Sequence, residues 1–162
     1  MSSETFVYLC MAFFIAMMIA GVVLPIANTL SVKAKIRRLS REAIEITPKQ
    51  FFKIRNRSNG GRGRQLISNK YAFAGVYILY NHTKDLYYVG QAKNVFSRVN
   101  SHFTGHGNGD VYADYKYGDD FTIKMIELKG SGFKTLNELE RSAIKTYNAY
   151  AKGYNKTRGN RG

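Results

Sequence analysis

Tyr77 and Tyr88 stand in mirrored settings, Gly75-Val76-Tyr77 and Tyr88-Val89-Gly90. Residues 73–80 are rich in β-branched, aromatic and aliphatic side chains, residues 81–85 are polar and turn-forming, and residues 86–89 read as strand again. A reversal centred between His82 and Thr83 would set Tyr77 opposite Tyr88, with Cβ atoms roughly 4.5–5.5 Å apart on one face. Gly90 would then end the second strand. Paired phenols can accept or pass on a proton. Downstream, Asn94 suits an N-cap for a helix in which Val95, Val99 and His102 or Phe103 recur at helical spacing. Arg98 and His102 are four apart and so share a face, expected to point away from the Val95/Val99 stripe. The planar fork of an arginine fits oxyanions. Proton-transfer groups beside an anion clamp are thus the chemistry on offer.

The elements that must position these groups are legible further along. Residues 121–128 alternate as a third strand. Residues 135–150 read as a helix with Thr135 as N-cap, Glu138 completing a capping box, and Leu136, Leu139, Ala143, Ile144 and Tyr147 as the buried stripe. Glu138 and Glu140 are both candidate functional acids. The cap already occupies Glu138, which leaves Glu140, at the border of the stripe. The loop 105–109 is glycine-rich, residues 111–117 suit a short helix or turn, and His82 and His106 read as turn and loop residues. An α+β domain follows, a three-stranded antiparallel sheet flanked by helices.

The chain has 162 residues, room for one small domain and an additional segment. From Thr5 to Val32 there is no charged side chain, and Phe6–Ala27 is an apolar run of 22 residues, long enough to span a bilayer as a helix. A cleavable signal peptide would carry a basic start and a shorter apolar stretch; the segment before this run has Glu4 as its only charged side chain. Lys33, Lys35, Arg37, Arg38 and Arg41 follow, so the positive-inside rule puts the C-terminal part in the cytoplasm. The single Cys10 excludes an intrachain disulfide.

Net charge is +14, and residues 33–74 hold twelve Lys or Arg against Glu42 and Glu45. Residues 33–45 have the spacing of a continuing amphipathic helix, which Thr47-Pro48 breaks. The basic stretch nearest the apolar run suits anionic lipid headgroups. Further on, Lys53, Arg55, Arg57, Arg62 and Arg64, with Phe51 and Phe52 ahead of them, suit nucleic-acid phosphates, as does Lys93. The organisation expected is an uncleaved single-span transmembrane segment over 1–32, a basic juxtamembrane region and linker over 33–71 and a domain over 72–162.

Taken in order, Gly75-Val76-Tyr77, Tyr88-Val89-Gly90, Arg98, Glu140 and Gly153-Tyr154-Asn155-Lys156-Thr157-Arg158-Gly159 resemble the GIY-YIG nuclease family over roughly residues 72–160. The departures are Val for Ile in both tripeptides. The resemblance implies catalysis by Tyr77, Tyr88, Arg98, His102, Glu140 and Asn155: Tyr77 as base for the attacking water, Arg98 on a non-bridging oxygen, Tyr88 and His102 orienting, and Asn155 closing the site. It implies Glu140 as ligand of one Mg²⁺ or Mn²⁺, and DNA as substrate. No separate recognition domain is visible, so low sequence specificity is expected, or presentation of substrate by a protein partner. The alternative is a non-catalytic membrane-tethered DNA-binding module on the same scaffold, which would be expected to lack Arg98 or Glu140.

Overall fold

The computed structural model describes residues 3–56 and 72–160. They fall into two compact units, Met1–Lys35 and Ile36–Gly162. The first lies within helix α1 (Ser3–Glu42), 40 residues long with Pro25 inside it, whose last residues from Ile36 belong to the second unit. By length and composition α1 is able to cross a membrane, with a mean hydropathy of 2.2 over its most apolar window. Its large described apolar side chains up to Leu30 are exposed, Phe14 at 70% and Met18 at 73%.

The second unit contains β1 (Glu45–Ile46), α2 (Pro48–Asn56), β2 (Gly75–Asn81), β3 (Leu86–Ala92), α3 (Val95–Phe103), α4 (Gly109–Lys116), β4 (Phe121–Glu127) and α5 (Leu136–Thr146). The sheet is antiparallel in the order β1-β4-β2-β3 and so has four strands, not three. The fourth is β1, two residues pairing with Ile123 and Lys124, too short to leave a periodic signal. Thr47-Pro48 does break a helix, and it also starts one. Thr47 and Gln50 cap α2 reciprocally, Gln50 N donating to Thr47 Oγ1 and Thr47 N to Gln50 Oε1, with Pro48 at the first helical position.

Each face of the sheet buries its own cluster. On one, Tyr77 and Leu79 meet Phe51 of α2, Val95, Phe96, Val99 and Phe103 of α3, and Tyr154. On the other, Val76, Ile78 and Val89 meet Leu139, Ala143 and Ile144 of α5 and Ile36 near the end of α1. Residues 36–56, expected as connector, therefore supply core to the domain. Ile36 and Phe51 are fully buried.

Three local expectations are corrected. Asn81 belongs to β2 and pairs with Leu86, because its side-chain oxygen accepts from Thr83 N and Lys84 N and closes the turn one residue later than expected. Tyr77 consequently faces Gly90, and Tyr88 faces Leu79. A shift of two residues keeps both tyrosines on the same face, whereas a shift of one would have separated them. The second strand also runs past Gly90 to Ala92. The last helix stops at Thr146, where the chain turns through Asn148 at φ 52°, a conformation asparagine tolerates.

The tail then runs back along β3. Tyr154 N donates to Tyr87 O, and the Asn155 side chain donates to Val89 O and accepts from Val89 N. Tyr154 Oη accepts from Asn81 and donates to Asp114.

Candidate active site

Tyr77 projects from the middle of β2 over Gly90. A Cβ at position 90 would collide with the Tyr77 hydroxyl and ring, so this strand position has room only for glycine. The buried phenol meets His102 of α3, with Oη 2.9 Å from Nε2. His102 does not point away from the Val95/Val99 stripe as expected. It is fully buried within it, seven residues after Val95 and thus on nearly the same side of the helix. Arg98 lies one turn before it, on the exposed flank.

The tautomer of His102 follows from its other nitrogen. Nδ1 accepts a hydrogen bond from Asn108 N at 2.9 Å, and a backbone N–H can only donate. The neutral ring therefore carries its proton on Nε2 and donates to Tyr77 Oη. Burial above all, with the charge of Arg98 adding to it, lowers the imidazole to about 4, which keeps it neutral near pH 7. Gly107 fits against the ring where a Cβ would clash with Nδ1.

With Tyr77 Oη accepting from His102, its own proton is left for another acceptor. Tyr88 stands beside it, the two ring centroids being 6.1 Å apart. Burial, and secondarily Tyr88, pushes Tyr77 far above the usual phenol range, while the charge and approach of Arg98 pull it back. Tyr88 is also raised by burial, with Tyr77 and Arg98 opposing and the negative charge of Glu140 adding to the rise. Both phenols are protonated at rest.

Glu140 comes from α5, on the opposite face of the sheet, and is 8% exposed. Gln91, the residue after Gly90, reaches it: Nε2 donates to Glu140 Oε2 at 2.9 Å and to Asn137 Oδ1 at 2.6 Å. Asn160 N also donates to Oε2. Among the described residues Oε1 takes no hydrogen bond. Glu138, by contrast, serves the cap: its N donates to Thr135 Oγ1, and its carboxylate accepts from Lys134 N instead of the cap residue's own N–H.

Of the expected site residues, Tyr77, Tyr88, Arg98 and His102 come together around Gly90, and Glu140 acts electrostatically on Tyr88. Asn155 is committed to the backbone of Val89 at both ends of its amide. Among the expected nucleic-acid contacts, Lys53 and Lys93 are exposed. Arg55 lies 4.6 Å over the Phe52 ring and donates to Asn100 Oδ1 on α3. Arg57, Arg62 and Arg64 lie outside the described residues. Sequence reasoning missed Gln91, Gly107 and Asn108. The signal available was position alone, since Gln91 follows Gly90 directly and Gly107-Asn108 begin four residues past Phe103.

No group of three or more His, Cys, Asp or Glu side chains clusters among the described residues. Residues 73–155, about half the chain, match the GIY-YIG catalytic domain. The chain belongs to the GIY-YIG family, and that membership points to a nuclease. No curated protein and no solved structure shows significant similarity to it.

Proposed function

We propose that this protein is a membrane-anchored endonuclease that hydrolyses phosphodiester bonds of DNA with the help of a divalent cation and with little intrinsic sequence preference. The observation that carries the reading is the buried Tyr77–His102 pair, at 2.9 Å, with Arg98 on its open side. A phenol with this environment is poor at losing a proton in the resting protein. The His102 Nε2–H and the Arg98 charge both favour the phenolate, so proton loss to solvent or in concert with attack is eased where those two groups converge. Tyr77 would take a proton from the attacking water, Arg98 would hold a non-bridging oxygen through its fork, and Tyr88 would orient the water or the phosphate. As the water oxygen bonds to phosphorus, the P–O bond to the 3′-oxygen would break and that oxygen would take a proton from solvent, leaving a 5′-phosphate and a 3′-hydroxyl.

The donor set fits one hard cation. Glu140 offers an unoccupied Oε1 while Gln91 and Asn160 steady Oε2, and Mg²⁺ is commonly held by one or two carboxylates plus waters and substrate phosphate. Such an ion, Mg²⁺ or Mn²⁺, supplies Lewis-acid stabilisation of charge on the phosphate. The fully committed amide of Asn155 favours a positioning role, fixing the strand that carries Tyr88 and Gly90.

For the anchor, the supporting observation is that α1 exposes most of its large apolar side chains, which water would not tolerate as one continuous surface. The basic residues after the apolar run favour a cytoplasmic domain and contact with anionic lipid. Lys53, Arg55 and Lys93 would contact DNA phosphates, and a protein partner would present particular substrates.

The test is nicking of supercoiled plasmid by the full chain in neutral detergent, with Mg²⁺, Mn²⁺ or EDTA. Metal-dependent nicking that Tyr77→Phe, Arg98→Ala and Glu140→Ala each reduce by a factor of about 100 or more is the expected result. A folded wild-type protein inert on supercoiled, branched and single-stranded DNA would overturn the reading.

A further inference from the structure

A cavity of about 440 Å³ opens beside the C-terminal half of α5, with Arg141, Lys145 and Arg158 around it, Tyr150 and Asn148 on its wall and Ile144 at its floor. All three cations are exposed and no carboxylate lines the cavity among the described residues. The Arg158 guanidinium lies 5.3 Å from the centre of the Tyr150 ring, so a cation and a flat aromatic surface are held side by side. One residue separates this cavity from the carboxylate of Glu140. A Cβ built on Gly159 would sit 2.8 Å from Arg141 Cγ, 3.4 Å from Ile144 Cδ1 and 3.4 Å from Glu140 Oε2. Gly159, at φ 99°, is thus a thin wall shared by the two.

We infer that this cavity is a subsite for a backbone phosphate of the nucleic-acid strand being cut, adjacent to the scissile phosphate; the inference rests on the nuclease reading above. A nucleic-acid strand carries one charge per roughly 3.4 Å of rise, so a strand whose scissile phosphate lies at Glu140 must place a neighbouring phosphate close by. Three cations without a lining acid meet that need on this side of Glu140. Tyr150 adds a platform on which a base can stack regardless of its identity. Because both contacts ignore base sequence, the subsite would add affinity without adding specificity.

The experiment compares two triple variants of the full chain in neutral detergent. Arg141→Gln/Lys145→Gln/Arg158→Gln empties the cavity of charge, and Lys116→Gln/Lys129→Gln/Lys134→Gln removes the same charge outside it. Binding of a labelled DNA duplex is followed by anisotropy across a salt series in the Glu140→Gln background, and cleavage kinetics are followed with Glu140 intact. The cavity variant is expected to raise Kd roughly tenfold at 0.15 M salt and to lower the salt slope by about 0.9 for each phosphate lost. It should raise KM more than it lowers kcat, and the comparison variant should do neither. Equal effects of the two variants, or an unchanged Kd and slope in the cavity variant, would overturn the subsite even if the protein cuts DNA. A protein that binds DNA through the cavity but cuts nothing would instead sink the nuclease reading, and with it the scissile neighbour, leaving the cavity as a DNA-phosphate site alone. Loss of binding to phosphatidylglycerol vesicles with DNA binding unchanged would reassign the cavity to lipid. Should the triple variant not fold, Arg158→Gln alone, on the exposed tail, reads the same salt slope.

Discussion

Tyr77 and Gly90 are direct partners across the β2–β3 pair, and the phenol occupies the space that a side chain at position 90 would need. The two halves of the mirrored motif are therefore one packing unit. Gly90 lets Tyr77 lie flat over β3 and reach His102.

Replacing Gly90 by alanine is expected to displace the phenol, since strand backbone on both sides leaves little room to yield. Overpacking of this kind costs about 1–3 kcal/mol. Cleavage should fall far more than that stability loss explains, because the Tyr77–His102 contact is lost. Thermal melts beside plasmid nicking separate the two effects; full activity in Gly90→Ala would refute the packing argument.

His102 makes stability pH-dependent. Its proton affinity is lowered to about 4 in the folded chain, against about 6.5 unfolded, so between those values the unfolded chain binds more protons. Stability is then complete above pH 6.5 and declines as pH falls toward 4, by roughly 3 kcal/mol at most. Denaturant titrations of wild type and His102→Gln between pH 4 and 8 should diverge in that window, with the variant flatter. Parallel curves would mean that the imidazole titrates normally.

Gln91 is expected to act through Glu140, as a positioning residue. Outer-shell partners of metal ligands commonly change metal affinity by about 10–100-fold. Gln91→Ala should accordingly shift the Mg²⁺ or Mn²⁺ concentration for half-maximal cleavage upward while leaving the rate at saturating metal closer to wild type. A uniform rate loss at all metal concentrations would assign Gln91 to another task.

The domain should need residues well before its family-matching region. Phe51 is fully buried and packs on Phe96 with centroids 4.5 Å apart, and Phe51→Ala is expected to cost about 3–5 kcal/mol. A fragment beginning at Tyr71 should melt lower than one beginning at Ile36, as differential scanning fluorimetry would register.

The family-matching region was more legible than the segments packed around it. Tyr77 and Tyr88 are marked by spacing, Arg98 by its place one turn before His102, and Glu140 by the capping of Glu138 together with the family resemblance; even the mistaken register kept both phenols on one face. What the sequence hid were contacts between distant segments. Nothing local distinguishes Gly107 from its glycine neighbours at 105 and 109, yet it alone borders His102 Nδ1. Phe51 and Ile36 looked like parts of a basic connector because the charges around them are dense, and the core positions are few. The burial of His102 was left open by its spacing, which suits both the Val95/Val99 stripe and the face of Arg98; its two partners, Tyr77 and Asn108, decide it.

The tail that ties Asn155 to Val89 has a consequence for how the sheet meets other molecules. β3 is an outer strand, and such a strand normally offers a template onto which a foreign strand can add. Here the amide of Asn155 mimics a neighbouring strand, and Tyr154 N caps Tyr87 O. The opposite border is β1, only two residues long and carrying Glu45. The tail thereby shields the border of β3, which guards a protein with so many β-forming tyrosines against edge-to-edge aggregation on that side. Removing the last seven residues would leave Asn155 and the tie in place, whereas removing ten would open the border of β3 at the very strand that carries Tyr88.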